Sequence, residues 1–417
     1  MKIAKKWIFP PLILLLILAV LLAVFFRLNR YQQDGTLNLT GLKEEVTVLR
    51  DEKGMAYIYA KNSGDAIMAL GFITAQDRLF QMELTKLFAT GRISEMAGEK
   101  AEPVDIRMRT IGFHRQAKRQ AGLLNPQAKL FFQKYLDGIN AYILNRSNEH
   151  PLEFKLAGIK PGQWNITDSL AILYYMSWNS SANIDTEIIA EMLVEKVGLE
   201  KAREIFPRNI NPDDPPRESA WLQHRARESA RLNLAADRQI LSYLQDRSLN
   251  IGSNNWAAGS QLSRGGKPIV ANDPHLDARL LPGPWYPYAL ITPDFRMVGA
   301  GIPGIPGIVI GRNEHIALGV TNAYGDGQDL YIETVDPQSP DRYLEGNQSL
   351  PFEVITEKIV VKDKNEPQGK KEKEVKVRLT KRGPVVSGVL PELATEKVIT
   401  LRWAPLKPWA LPSGLTN

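Results

Sequence analysis

The sequence predicts an α+β protein whose two halves differ in character, and three observations carry that reading. Apolar residues recur at helical spacing through much of residues 38–210. Strand-like alternation dominates after Ser253, and a breaker-rich, arginine-rich stretch separates the two regimes. With 417 residues and 44% hydrophobic content, the chain is long enough for one large domain or two ordinary ones around a substantial core.

The elements follow in order. Lys2, Lys5 and Lys6 precede an apolar run from Trp7 to Phe26, which as a helix would measure about 30 Å. Residues 1–30 therefore read as an uncleaved signal anchor, a single transmembrane helix with its lysines cytoplasmic and the remaining chain on the extracytoplasmic side of the cell membrane. A cleavable signal peptide is the alternative, although no A-x-A site precedes Arg27 and Arg30. Residues 46–60 (VTVLRDEKGMAYIYA) alternate and turn at Gly54, which predicts a hairpin. In AQDRLFQMELTKLFATGRISEMAG, Leu79, Met82, Leu84, Leu87 and Phe88 keep helical spacing, and Gly91 is placed to cap the C-terminus. Further helices are expected over 126–145 and 166–196.

Residues 211–252 open on NPDDPPRES and continue arginine-rich with weak apolar content. They read as a solvated helix or a removable connector. From 253 to 417, NNWAAGSQL and KPIVAND form one predicted hairpin, and PFEVITEKIVV with EKEVKVRLT forms another across the charged KDKNEPQGKK loop.

Composition removes several classes of function. The 52 basic and 46 acidic residues leave only +6, dispersed along the chain, so a nucleic-acid partner is not expected. Without cysteine there is no disulfide, thiolate metal site or cysteine nucleophile, and five scattered histidines leave little for a histidine-rich metal centre. The G-x-S-x-G elbow, the H-E-x-x-H helix and the phosphate-binding glycine loops are all missing.

What remains is LNIGSNNWAAGS, residues 249–260. A turn before a hairpin accounts for its spacing alone. The layout around it, a helical half, a polar connector and then a Gly-Ser step opening a strand, suits a second reading in which the chain is cut before Ser253. Attack of Ser253 on the Gly252 carbonyl would give an ester, and its hydrolysis would free an N-terminal serine. The α-amine of that serine, with an ordinary pKa of about 7.7 to 8.0, would serve as the base for its own hydroxyl.

Four stretches in this order resemble the penicillin acylases of the N-terminal nucleophile hydrolases, from about Val46 to the last residue. Residues 75–98 look like the first-chain helix signature and GSNNWAAGS like the maturation site. ANDPHL (271–276) follows at the expected distance, and GIPGIVIGRNEHIALGVTNAYGDGQDLY (304–331) looks like the next block. The resemblance implies an αββα sandwich, incomplete at the C-terminus, behind a mainly helical first chain. It also implies autoprocessing at Gly252-Ser253 into an α/β heterodimer. The expected activity is hydrolysis of the acyl side-chain amide of small N-acylated compounds, of β-lactam or acyl-homoserine lactone type, through an acyl-Ser253 intermediate.

Residue by residue, the resemblance makes Ser253 the nucleophile. It places His275 near the amine, at a position filled by glutamine in penicillin G acylases, and makes the Asn322 backbone amide an oxyanion donor. Leu276, Ile310 and Val320 match acyl-pocket positions, with Met176 and Trp178 added from the helical half. Glu187, Asp326, Asp329 and the Gln328 carbonyl match ligands of a structural Ca2+, a chemistry that suits carboxylates from two segments. Leu318 stands where tryptophan is frequent and Arg382 where histidine often precedes Gly-Pro. The family's second chain continues well beyond Asn417, with an oxyanion-hole asparagine, an arginine and further calcium ligands. An inactive acylase-like protein or extracytoplasmic binding module is the rival reading, and a triad hydrolase using another serine is a third.

Overall fold

The computed structural model describes residues 9–27, 32–181, 183–205, 252–275, 282–322, 327–390 and 397–406. The connector expected over 211–252 lies, except for Gly252, outside the described residues.

The apolar N-terminal run forms helix α1, Phe9–Arg27. The expected transmembrane anchor is not supported. Among the described residues no helix is long and apolar enough to cross a membrane.

The predicted first hairpin is present as β1 (Thr47–Arg50) and β2 (Ala56–Tyr59), turning through Gly54 at φ +79°. The first helix signature belongs to a longer helix, α2 (Ser63–Ala89), started by Asn62, whose side chain accepts from Asp65 N. Its end is closed as predicted. Gly91 has φ +63°, and the Gly91 and Arg92 amides donate to Phe88 O and Leu87 O. Helices α3 (Ser94–Ala97), α4 (Glu102–Ile111) and α5 (Phe113–Leu123) lead to α6 (Pro126–Asn145), which packs along α2. The short α7 (Leu152–Ala157) follows. The single helix expected over 166–196 is two, α8 (Ile166–Ser181) and α9 (Ile184–Val197), with α10 (Leu199–Ile205) beyond. The break falls at Asn183, whose carboxamide leaves the helices to bind the backbone of Gln328 in the second half.

After Gly252 the chain is strands. A separate hairpin, β3 (Gly252–Ala258) with β4 (Ile269–His275), precedes β5 (Tyr286–Ile291), β6 (Arg296–Gly301), β7 (Ile310–Arg312) and β8 (Ala317–Leu318). The order β1-β2-β5-β6-β7-β8 makes a six-stranded sheet in which β2 runs parallel to β5, so strands from both halves share one ladder. A second sheet, of order β11-β10-β9-β14, comprises β9 (Gln328–Asp336), β10 (Ser339–Glu345), β11 (Gln348–Pro351) and β14 (Val398–Trp403). The charged hairpin predicted from residues 351–380 is β12 (Glu353–Lys362) paired with β13 (Lys370–Leu379).

The α+β prediction is thus borne out, and one core joins its parts. Phe113, Tyr174 and Trp178 from the helices meet Trp403 of β14, with the Trp178 and Trp403 rings 5.3 Å apart and perpendicular, and Phe88 packs on Tyr175 beside them.

Candidate active site

Ser253 is the second residue of β3, and the hairpin register determines what surrounds it. Gly252 pairs with His275, Ser253 with Pro274, Asn254 with Asp273 and Asn255 with Asn272. Side chains alternate between faces along a strand, and directly paired residues share a face. Ser253, Asn255, Asn272 and Pro274 therefore lie on one face, and Asn254, Asp273 and His275 on the other.

The chain leaving β8 crosses the Ser253 face. Gly319 makes that crossing close: a Cβ there would stand 3.1 Å from Asn255 Cβ and 3.4 Å from Asn272 Cβ, so a side chain would require the neighbours to shift by a few tenths of an ångström. The Asn272 carboxamide then binds the next residue twice. Its Oδ1 accepts from Val320 N at 2.7 Å, and its Nδ2 donates to Val320 O at 3.0 Å and to Asn254 O at 3.1 Å. The Thr321 hydroxyl donates to Ser253 O at 2.9 Å. Asn322 follows directly, so its backbone amide starts from two residues fixed on the β3–β4 hairpin.

His275 stands opposite Gly252, at the end of the hairpin where a cut would leave a new amine. Its imidazole Nε2 meets Asp273 Oδ2 at 2.9 Å on the face away from the Ser253 side chain. This contact orients the ring.

The expected acyl-pocket residues come from several elements. Ile310, in β7, and Val320 are half-buried, and the β7–β8 ladder connects them to the crossing segment. Met176 is half-buried on α8, and Trp178 is buried within the aromatic core against Phe113 and Trp403. Leu276 lies outside the described residues. Two hollows, of about 510 Å³ between β1, β2 and residues 291–296 and about 300 Å³ beside β13 and β14, are lined by other residues.

For calcium, Glu187 lies on α9, and Gln328 and Asp329 open β9, while Asp326 is outside the described residues. Asn183 draws α9 to β9, but its Nδ2 takes the Gln328 carbonyl at 2.7 Å, the oxygen expected to face the cation. Among the described residues no group of three or more acidic or histidine side chains is arranged to hold a metal. Glu187, Gln328 and Asp329 thus come from the two segments that Asn183 joins, and the remaining expected ligand, Asp326, lies outside the described residues.

Sequence reasoning missed Asn272, Thr321 and Gly319 as site residues. All three sit inside or beside the quoted ANDPHL and GVTN stretches, but their contacts depend on a crossing that no local pattern announces.

A family model described as penicillin amidase matches residues 45–414. The chain belongs to the penicillin amidase family. An acyl-homoserine lactone acylase QuiP of Pseudomonas aeruginosa is 33% identical over 310 residues, covering 73% of this chain and 36% of that protein. A penicillin acylase 2 proenzyme of a Pseudomonas species is 31% identical over 362 residues, covering 85% and 45%. A solved thermostable penicillin G acylase of Alcaligenes faecalis aligns at 24% identity with a TM-score of 0.36, over 42% of this chain and 96% of that one. The chain spans less than half the length of these two curated penicillin amidase relatives.

Proposed function

We propose that this chain carries the nucleophile of an amidohydrolase that cuts itself between Gly252 and Ser253 and then hydrolyses the acyl amide of a small N-acylated compound. The observation that carries the reading is the crossing of residues 319–322 over the Ser253 face of the β3–β4 hairpin. The Asn272–Val320 and Thr321–Ser253 hydrogen bonds hold residues 320–321 on the hairpin that carries Ser253, and this supports the reading. The names of the relatives, acylases of homoserine lactones and of penicillins, support both substrate types for the family.

In the first step Ser253 Oγ attacks the Gly252 carbonyl carbon. The Gly252–Ser253 C–N bond breaks as the serine nitrogen takes a proton, and water then hydrolyses the ester. In turnover the freed amine accepts the Oγ proton while Oγ attacks the substrate carbonyl. The same proton passes to the departing amine, and water releases the acyl group. Negative charge on the carbonyl oxygen would be met by the Asn322 N–H, and loss of one such donor costs about 3 kcal/mol of barrier. Because the amine must be neutral to act as base, turnover rises with pH through its pKa. The αββα sandwich belongs to the same proposal, with the six-stranded sheet and the helices packed on it as two of its layers.

The test is intact mass and N-terminal sequencing of the full-length protein, followed by hydrolysis of phenylacetyl and decanoyl 4-nitroanilides. A chain starting Ser-Asn-Asn-Trp and amidase activity lost in Ser253→Ala support the proposal. An uncut chain, or activity that survives Ser253→Ala, would refute it.

A further inference from the structure

Asn272 does two things for one neighbour, and that neighbour leads to the oxyanion donor. Its carboxamide imitates a strand edge: Oδ1 takes the Val320 N–H at 2.7 Å, and Nδ2 gives to the Val320 carbonyl at 3.0 Å. A second Nδ2 proton reaches Asn254 O at 3.1 Å, on the residue after the nucleophile. One side chain thereby ties the β3 backbone to the crossing segment.

The consequence follows from peptide planarity. Holding the Val320 carbonyl fixes the plane of the 320–321 peptide, since carbonyl and N–H of one trans peptide point in opposite directions. On its other side Thr321 is held by its hydroxyl, which donates to Ser253 O at 2.9 Å. With the peptide before Thr321 and its own side chain both held, the Thr321 ψ rotation is the one backbone freedom left to aim the next N–H, that of Asn322. Gly319 completes the seating by permitting contact with Asn255 and Asn272.

We infer that Asn272 is a positioning residue for acyl transfer. It holds the 320–322 backbone on the nucleophile hairpin so that the Asn322 N–H meets the oxygen of the tetrahedral intermediate at the distance Ser253 sets. The inference rests on the proposed role of Ser253 and adds a residue that touches neither substrate nor the reacting atoms. Donors aimed in advance act on the transition state, not on ground-state binding.

Asn272→Asp is the sharpest variant. It keeps the acceptor for Val320 N and replaces the donor toward Val320 O and Asn254 O by a second carboxylate oxygen, which repels both carbonyls. In the full-length protein, Asn272→Asp and Ser253→Ala are compared with wild type by intact mass, thermal midpoint, and kcat and KM on decanoyl and phenylacetyl 4-nitroanilides. The expected result is a processed, folded Asn272→Asp chain whose kcat falls about 100-fold while KM stays within about twofold. Should that variant fail to fold, Thr321→Val removes the other restraint and is expected to show the same split at smaller size. Wild-type kcat in the folded variant overturns the inference, as does a loss carried by KM. A folded variant left uncut also overturns it, since Asn272 would then serve maturation. If Ser253→Ala equals wild type, the nucleophile assignment itself fails. If Ser253→Ala is inactive and Asn272→Asp is not impaired, only the positioning role fails.

Discussion

Arg382 shows how one departure from a family pattern becomes a local solution. Its guanidinium bonds Glu333 at 2.8 Å and Glu345 at 2.8 Å, and lies 5.3 Å from the Tyr331 ring centre. Glu333 is buried and also accepts from Thr380 and Thr400. Arg382→Met would leave that carboxylate without its cation, a loss expected to cost about 3 kcal/mol in denaturant unfolding. A change below about 1 kcal/mol would show that the two threonines suffice. His114 gives a second test. Burial first, then the positive charge of Arg109, pushes its pKa down to about 4, and its Nδ1 has no hydrogen-bond partner among the described residues. The folded chain therefore refuses a proton that the unfolded chain takes up near 6.5, and stability falls as pH drops from about 6.5 toward 4. In His114→Gln the urea midpoint should flatten across that window, and an unchanged slope would contradict the assignment. At this scale the sequence exposed Ser253 because a Gly-Ser step opening a strand after a polar connector is unusual. Asn272 stayed hidden because asparagines are common in turns, and only the register with Asn255 gives this one a face.

The crossing of α2 and α6 depends on two glycines. A Cβ at Gly71 would overlap the carbonyl oxygen of Tyr135, and one at Gly138 would overlap that of Met68, so the two backbones touch. Gly71→Ala gains helix propensity but forces the helices apart, and a net loss of at least about 2 kcal/mol is expected from chemical denaturation. A neutral or stabilised variant would mean the crossing is looser than described. Elements such as these were partly legible. Periodicity and caps gave α6 and the end of α2, and alternation gave the β1–β2, β3–β4 and β12–β13 hairpins, because these depend on neighbours in sequence. The division of 166–196 into α8 and α9 was not legible. It exists because Asn183 is recruited by Gln328, 145 positions away, and nothing local marks it as a breaker.

Across the whole molecule the halves are joined by long-range contacts. The parallel pairing of β2 with β5, the Asn183–Gln328 clamp and the Phe113, Trp178 and Trp403 rings all span the connector. A chain cut before Ser253 would therefore keep its two parts together without a covalent link, as the proposed heterodimer requires. Composition and motif order predicted the α+β class and the family, whereas the pairing of strands across the connector and the crossing over Ser253 needed coordinates. The apolar N-terminal run was legible as a helix, α1, whereas a membrane span is not supported among the described residues. One measurement bears most directly on the central claim, intact mass with N-terminal sequencing of wild-type and Ser253→Ala full-length protein side by side. Two chains from wild type, the second beginning at Ser253, and one uncut chain from the variant are the predicted result. Identical products from both would remove Ser253 from the chemistry.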